Sequence, residues 1–584
     1  VTWGPDTENK GQCIQNGESG VIQNGRFPHL HEKKIEKFFY EPLIVSKLND
    51  LAIVESQKES VETVINVSVE TEIRSIQVPV INTVIEHLSG GKLFRWEFDC
   101  GENECITGQF VNGEYWVAPE NDGGSVILVN VSPEGEDNGL VANPVYGTKQ
   151  GFLSCQGSYS ASLNLMNQLP SNILPNTSLI KSDKREEQCG TKSTLGCCID
   201  AYDVVTVLDF IPENNGATVF RPGFAGNDKK YYSVKDFDWV KIPSESNISN
   251  SDNKKSYDSI VEAWSTPFFD HMMEIIGDAG RAYTPAAVLP DYGATHAANY
   301  LDSLLAVFAN DSFDRKSKAI YALTQRGIDL YSSWKNGVKW PNGAGQQMGR
   351  KPPMAFFAAL VNDQNVRTDV MAMAGNNRAD TQEDGQIRLI SYEQGGGNVP
   401  VWGDTAGFCG PNNYWTMLFN EQKYDGAVGP KISTGDNKRT CGDPYGYIDG
   451  PAGVPGTMYM ECCSTGGFNA FVLAQKIMPA LEYANNDPVL IEYVRRVKEE
   501  GVRTFPDVCA PPDPRESREC KPYKAGSPGC LYYKKTWGPN PEFIGQCIIN
   551  GENQNGRFPH LNGKMIEKVS NEPLISKELW SIYN

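Results

Sequence analysis

The sequence predicts a two-part chain, β-rich in its first half and helical in its second. Two changes of period carry that prediction. Apolar residues alternate with polar ones between about 60 and 245, then recur at i, i+3, i+4 and i+7 from 256 to 503. A third observation frames both: the chain uses the same words near its beginning and near its end.

Residues 2–17 read TWGPDTENKGQCIQNG and residues 536–551 read TWGPNPEFIGQCIING. The match resumes as QNGRFPHL at 23–30 and 554–561, then as IEK followed by EPLI at 35–44 and 566–575. A period of about 530 residues is far longer than that of any solenoid. Residues 1–50 therefore form a repeat segment and 536–584 a second copy of it, the start of a next unit or a docking arm. The first copy is rich in Asn, Gly and Pro and has too little apolar content to bury a core alone.

The β-rich domain follows at 60–245. VETVINVSVETEIRSIQVPVINTVIEHL alternates and is dense in Val, Ile and Thr. LFRWEFDC, GQFVNGEYWVAP, GSVILVNV and DVVTVLDFI are further strands between Gly, Asn and Asp turns. Together they read as a sandwich or barrel-like domain. The stretch SESNISNSDNKKS at 244–256 closes it.

Helices are expected in VEAWSTPFFDHMMEIIG, THAANYLDSLLAVFAN, DRKSKAIYALTQRGIDLYSSWKNG and PPMAFFAALVND. They resume in NNYWTMLFN, GFNAFVLAQKIMPALEYA and PVLIEYVRRVKEEG, with Gly-, Asn- and Asp-rich loops at about 374–412 and 425–456. The pattern is one of paired helices carrying long loops. Residues 504–535, rich in Pro and charge with three cysteines, read as a stapled linker.

The combination of GQFVNGEYWV with GIDLYSSWKNGVKWPNGAGQQMGRKPPMAFFAAL and MECCSTGGFNAFVLAQKIM resembles secreted bacterial proteins that pair a β domain with an incomplete α/α toroid. That architecture is similar to polysaccharide lyases and helical-barrel glycosidases. The resemblance covers about residues 60–500. It implies an N-terminal β-sandwich-like domain followed by an α/α-toroid-like helical domain, and it implies a fold rather than an activity.

Composition bounds the compartment and the partners. Fifteen cysteines occur without paired CxxC blocks: Cys13, Cys100, Cys105, Cys155, Cys189, Cys197, Cys198, Cys409, Cys441, Cys462, Cys463, Cys509, Cys520, Cys530 and Cys547. Cys13 and Cys547 are equivalent in the two copies, so one repeat unit holds fourteen, an even number suited to disulfides. Asn-x-Ser/Thr sequons lie at Asn66, Asn130, Asn176, Asn247 and Asn310. Cysteines and sequons together predict an extracellular, secreted or cell-surface glycoprotein bearing N-linked glycans. The start at Val1, without Met or signal peptide, fits a processed chain or an excerpt. A net charge of −19 argues against nucleic-acid partners, and no apolar run is long enough to span a membrane.

Several constellations offer chemistry. Arg326, Asp329, Tyr331 and Trp334 end one helix, and Trp340, Arg350 and Lys351 surround the Gly-rich loop that follows. Aromatic faces stack on sugars and cations bind carboxylates, so Trp334, Trp340, Arg350 and Lys351 are carbohydrate-binding candidates. A lyase needs a base, an acid and a group that neutralises a uronate carboxylate. His296, Asn299 and Tyr300 share helical spacing, with His271 on the preceding helix, and Arg350 could neutralise the carboxylate. A glycosidase needs two carboxylates, for which Asp404, Asp443, Asp449 and Glu461 are candidates. Asp380, Gln382, Asp384 and Gly385 echo the opening of a Ca2+ loop, but Ser391 stands where an EF-hand requires Glu. No zinc or phosphate site is expected, and no cofactor other than Ca2+ has a candidate.

The duplicated ends decide between these readings. An enzyme gains little from the same polar segment at both ends, whereas head-to-tail contacts that do not close make open filaments. The leading expectation is an extracellular structural glycoprotein forming fibrils from tandem or head-to-tail units, with neighbouring copies as partners. A polysaccharide lyase or glycoside hydrolase is the alternative, and a carbohydrate-binding or adhesive module the second.

Overall fold

The computed structural model describes residues 82–102, 104–120, 124–154, 159–184, 199–265, 269, 293–340, 345, 347–375, 380–391, 398–402, 432–434, 437–439, 464–500, 548–549, 552–553 and 572–583. By contacts the chain divides into Val1–Gln77 and Val78–Asn584, and every described residue belongs to the second unit. Strands come first and helices follow, as the two periods predict.

β1 (Thr83–Ser89) and β2 (Lys92–Asp99) form an antiparallel hairpin in which Ser89 pairs with Lys92. The two residues between them, Gly90 and Gly91, both have positive φ, 58° and 79°. That is what a primed two-residue turn demands, and glycine meets it without strain. β5 (Val126–Ser132) pairs with β2, and β7 (Ser171–Ile173) with β5, giving a four-stranded sheet in the order β1-β2-β5-β7. Phe94, Trp96 and Phe98 alternate inward along β2. On β5 the buried Leu128 and Val131 stand three apart, because a bulge opposite Glu97 and Phe98 inserts one extra residue.

A second sheet runs β3-β4-β9-β8-β6, from Ile106–Gln109, Tyr115–Ala118, Ile199–Val207, Thr177–Lys184 and Leu140–Ala142. β4 and β9 are parallel and the other pairs antiparallel. One apolar cluster takes Phe94, Trp96, Phe98, Leu128 and Val131 from the first sheet and Val117, Leu179, Val205 and Val207 from the second. The opposite face of β8 and β9 is covered too, where Ile180, Tyr202 and Val204 meet Phe152, Phe224 and Phe269. Burial on both faces leaves eight of the nine residues of β9 buried, Asp203 and Thr206 among them. Of the long alternating stretch from 61 to 88, only its end lies among the described residues, as β1.

The Ser/Asn/Lys-rich stretch is woven into the helical part. Glu245 exchanges backbone hydrogen bonds with Phe308 and Asn310, and Ile248 is fully buried in the turn Ser246–Ser249. Helices then follow: α1 Tyr257–Ser265, α2 Gly293–Val307, α3 Phe313–Lys335, α4 Lys351–Leu360, α5 Gln364–Gly375 and α6 Gln382–Gln386. The stretches expected as loops at about 374–412 and 425–456 hold α6 and two antiparallel hairpins, Ile387–Ser391 with Asn398–Trp402 and Ile432–Thr434 with Asn437–Arg439. Then come α7 Thr465–Ile477, α8 Pro479–Asn485, α9 Pro488–Glu500 and, in the second repeat copy, α10 Leu574–Tyr583. The run GFNAFVLAQKIMPALEYA, read from sequence as continuous, is two helices. It breaks at Met478, whose successor Pro479 has no N–H to give the ladder.

One large apolar cluster joins these helices, with Leu301, Leu304, Leu323, Phe356, Phe357, Phe468 and Leu473 at its centre. α3 lies against α1 and α4, α2 against α7, and α8 against α4 and α5. Gly327 lets α3 approach α4, since a Cβ there would stand 2.4 Å from the Pro353 carbonyl oxygen. Among the described residues no helix is long and apolar enough to cross a membrane.

Candidate functional site

The residues that sequence offers to a sugar are engaged with the protein. Trp340 is 2% exposed, Arg350 1% and Lys351 0%. Lys351 Nζ meets the Asp384 carboxylate at 2.9 and 3.1 Å and donates to the Val370 carbonyl. Arg350 Nη1 donates to the Met348 carbonyl at 2.6 Å, and the Trp340 amide to the Asp380 carbonyl at 2.7 Å. Half-buried Trp334 gives its indole N–H to Asp380 Oδ2. These four therefore frame a folded turn that includes Gln347–Lys351, where the hydrogen-bonding capacity read as sugar recognition binds the chain to itself.

The same turn occupies the residues of the calcium-loop echo. Gln382 Oε1 accepts from the Gln347 amide, and Thr381 caps α6 through the Asp384 amide. Asp384 takes its compensating charge from Lys351. Among the described residues no group of three His, Cys, Asp or Glu could hold a metal ion. Between Gln382 and Asp384, Glu383 is buried, with Oε1 accepting from the amides of Gly349 and Arg350. Burial pushes its carboxyl up to about 7, against the pull of its own amide, the Gly349 amide and the Arg350 charge.

α2 carries the lyase candidates, but it separates their environments. His296 is buried beside the turn, 3.2 Å from where a Cβ on Gly349 would sit. Tyr300 is buried against Trp264 and donates to the Leu323 carbonyl at 3.2 Å, and burial holds its hydroxyl well above the usual tyrosine range. Asn299 is half-buried and accepts from Lys255 at 3.2 Å. Asp404, Asp443, Asp449, Glu461 and His271 lie outside the described residues.

Asp329, named from sequence beside Arg326, belongs to a buried ion cluster that sequence did not reveal. Arg221 sits between Glu114 and Asp329, donating to both carboxylates, with Nη1 and Nη2 of its guanidinium 2.8 and 2.6 Å from Asp329. All three are at most 5% exposed, so the cluster pins the loop before β4 and the segment after β10 (Val219–Phe220) to α3. Tyr331, two residues on, donates to Asp369 Oδ2 at 2.7 Å.

The second repeat copy supplies the other site. Its Glu-Pro-Leu-Ile words, Glu572 to Ile575, lead into α10, which packs on the helical body. Glu572 is buried, accepting from Lys498 Nζ at 2.9 Å and Asn469 Nδ2 at 3.1 Å, and from Ser576 Oγ within its own first turn. Ile575 and Leu579, four apart on α10, are fully buried against α7 and α2. Trp580 is buried beneath two ammonium groups, Lys476 and Lys498, 5.1 and 4.9 Å from its ring. On the far side Glu578 accepts from Ser251 and Asn253, bonds that hold its carboxyl below the usual range. Tyr583 donates to Glu245 at 2.6 Å, and its hydroxyl is pushed up to about 12 by partial burial and that carboxylate. Twelve residues thus occupy a groove between α2, α7, α9 and the turn Ser246–Ser249. The repeat itself pointed to the Glu-Pro-Leu-Ile words; nothing in the sequence pointed to Asn469 or Lys498.

Four sequons are described. Asn247 and Asn310 are exposed beside this groove, Asn130 is half-exposed on β5, and half-exposed Asn176 has φ 59° with its Oδ1 accepting from Tyr231. Asn66 lies outside the described residues. Cys100 and Cys105 form a disulfide, and the other thirteen cysteines lie outside the described residues. No known protein family, curated protein or solved structure matches the chain.

Proposed function

We propose that this chain is an extracellular structural glycoprotein whose units join head to tail, with the repeated terminal segment as the joint. One observation carries the reading: the end of the second repeat copy is seated in the helical body from its shared Glu572 and Ile575 through Leu579, Trp580 and Tyr583. A repeat that only decorated the chain would have no need of a built seat. The turn that includes Gln347–Lys351 contributes in the same direction, because its cations and indoles brace the fold and leave their polar groups committed.

The helical part is read as an incomplete α/α toroid, supported by the packing of sequence neighbours α2 with α3, α3 with α4 and α7 with α8. Disulfides, N-linked glycans at the exposed sequons and a charge of −19 suit a protease-resistant, soluble assembly outside the cell. Sedimentation over rising protein concentration tests the reading. Species growing in steps of one chain are expected, and a single monomeric boundary at every concentration would overturn it. Incubation with uronate polysaccharides distinguishes the lyase alternative, because unsaturated products absorb in the ultraviolet; no such absorbance is expected.

A further inference from the structure

We propose that the groove formed by α2, α7, α9 and the turn Ser246–Ser249 is filled in trans by Glu572–Tyr583 of a second molecule of this chain. The inference rests on the head-to-tail reading and specifies its joint. Among the described residues, the contacts that hold the segment are made by twelve contiguous residues, from the Glu572 carboxylate to the Tyr583 hydroxyl. None of them depends on which molecule the segment comes from.

Reach permits the exchange. Between Glu500, which ends α9, and Glu572 lie residues 501–571; without the hairpin of Ile548–Ile549 with Glu552–Asn553 their contour is at most roughly 210 Å at about 3.3 Å per residue. Exchange of an identical element conserves every contact, so its cost is the difference between a tethered and a free partner. That difference is set by the effective concentration of the tethered segment, on the order of millimolar for short flexible links and lower for long ones. Dilute protein fills the seat from its own chain, and crowded protein fills it from a neighbour.

The groove also selects between the two copies. Aligned from the shared words, the first copy keeps Glu41, Pro42, Leu43, Ile44 and Leu48. It has Lys47, Asn49 and Ala52 where the second copy has Glu578, Trp580 and Tyr583. The first copy therefore lacks the aromatic anchor under Lys476 and Lys498, the bond to Ser251 and the bond to Glu245. The second copy is the fitting occupant.

Charge reversal across the Lys498 and Glu572 pair separates trans from cis seating in the full chain. Lys498→Glu opposes its own Glu572, and Glu572→Lys opposes its own Lys498, so each variant alone has an unfilled seat. Mixed at equal concentration, the intact segment of the first meets the intact groove of the second. Light scattering after size exclusion is expected to show each variant as a monomer and the mixture at twice that mass or more. A mixture of folded variants, checked by circular dichroism, that stays monomeric overturns the proposal.

A labelled peptide of residues 571–584 gives an independent reading. It is expected to bind Glu572→Lys and not Lys498→Glu, with a peptide of residues 40–53 at least about tenfold weaker for want of the Trp anchor. Failure of the first peptide to bind Glu572→Lys also overturns the proposal. The two readings fail separately. A mixture that associates, while concentrated wild type forms only closed dimers, keeps the joint and removes the filament; wild-type filaments beside an inert mixture do the reverse.

Discussion

Trp580→Ala is the most informative single change, because it asks whether the second repeat copy is held in place or merely lies nearby. A buried indole of this kind removes about 150–250 Å² from water, which at ~25 cal/mol per Å² is an upper value of about 4–6 kcal/mol. Truncations of buried aromatics cost ~3–5 kcal/mol, and the two lysines over the ring place Trp580 in that range. The loss falls on seating rather than on the global fold, since α10 packs on α7 and α2 whereas α3 and α4 pack on each other. A loss of ~3 kcal/mol multiplies the open population by about 100. Amide hydrogen exchange reads this directly: protection of Ile575–Tyr583 is expected to fall about 100-fold, while the amides of α3 and α4 exchange as before. Trp580→Phe keeps a ring beneath the lysines and deletes an indole N–H that meets no acceptor among the described residues, so its effect is expected to be under tenfold. Unchanged protection of α10 in Trp580→Ala would refute the reasoning, and equal loss everywhere would show that the segment is part of the global core.

Arg221→Met leaves Glu114 and Asp329 buried without their cation and is expected to destabilise the chain by ~3–5 kcal/mol in denaturant titration. Glu383 titrates at about 7 when folded, above its ordinary 4.5, so the native state binds its proton more tightly than the unfolded state does. Its stabilising contribution is present below about pH 4.5 and is lost as pH rises through 7. Glu383→Gln, which keeps an acceptor for the Gly349 and Arg350 amides, is expected to flatten that decline and to be more stable above pH 7 by ~1–3 kcal/mol, measured by thermal unfolding from pH 5 to 8. Protein secreted from a glycosylating host is expected to lose mass on N-glycan removal, with Asn310→Gln and Asn247→Gln each deleting one step; unchanged mass on glycosidase treatment would remove the glycoprotein reading.

Much of the fold was legible because local chemistry and tertiary context agree. The Gly90-Gly91 turn between alternating strands marks β1 and β2, and the apolar spacing of α2 and α3 marks their buried faces. The sheet partners were not legible: β4 pairs with β9 across the chain, and alternation states which face is buried without stating who covers it. Trp340, Arg350 and Lys351 show the limit at the site. Indole, guanidinium and ammonium groups bind a sugar or a folded turn with the same chemistry, and the deciding carboxylates, Glu383 and Asp384, become neighbours only in three dimensions. Glu572 was legible only as a repeated letter. Its meaning comes from Asn469 and Lys498, on helices that carry no cue for a ligand.

The joint itself is the decisive object, and electron cryomicroscopy of concentrated protein observes it. Filaments with an axial repeat of one unit of about 60 kDa, carrying helical density for Glu572–Tyr583 in the groove of α2, α7 and α9 at every boundary, are the expected result. Particles that stay dispersed as single units at all concentrations, or filaments whose boundaries lie elsewhere with the groove still filled from within each chain, would contradict it.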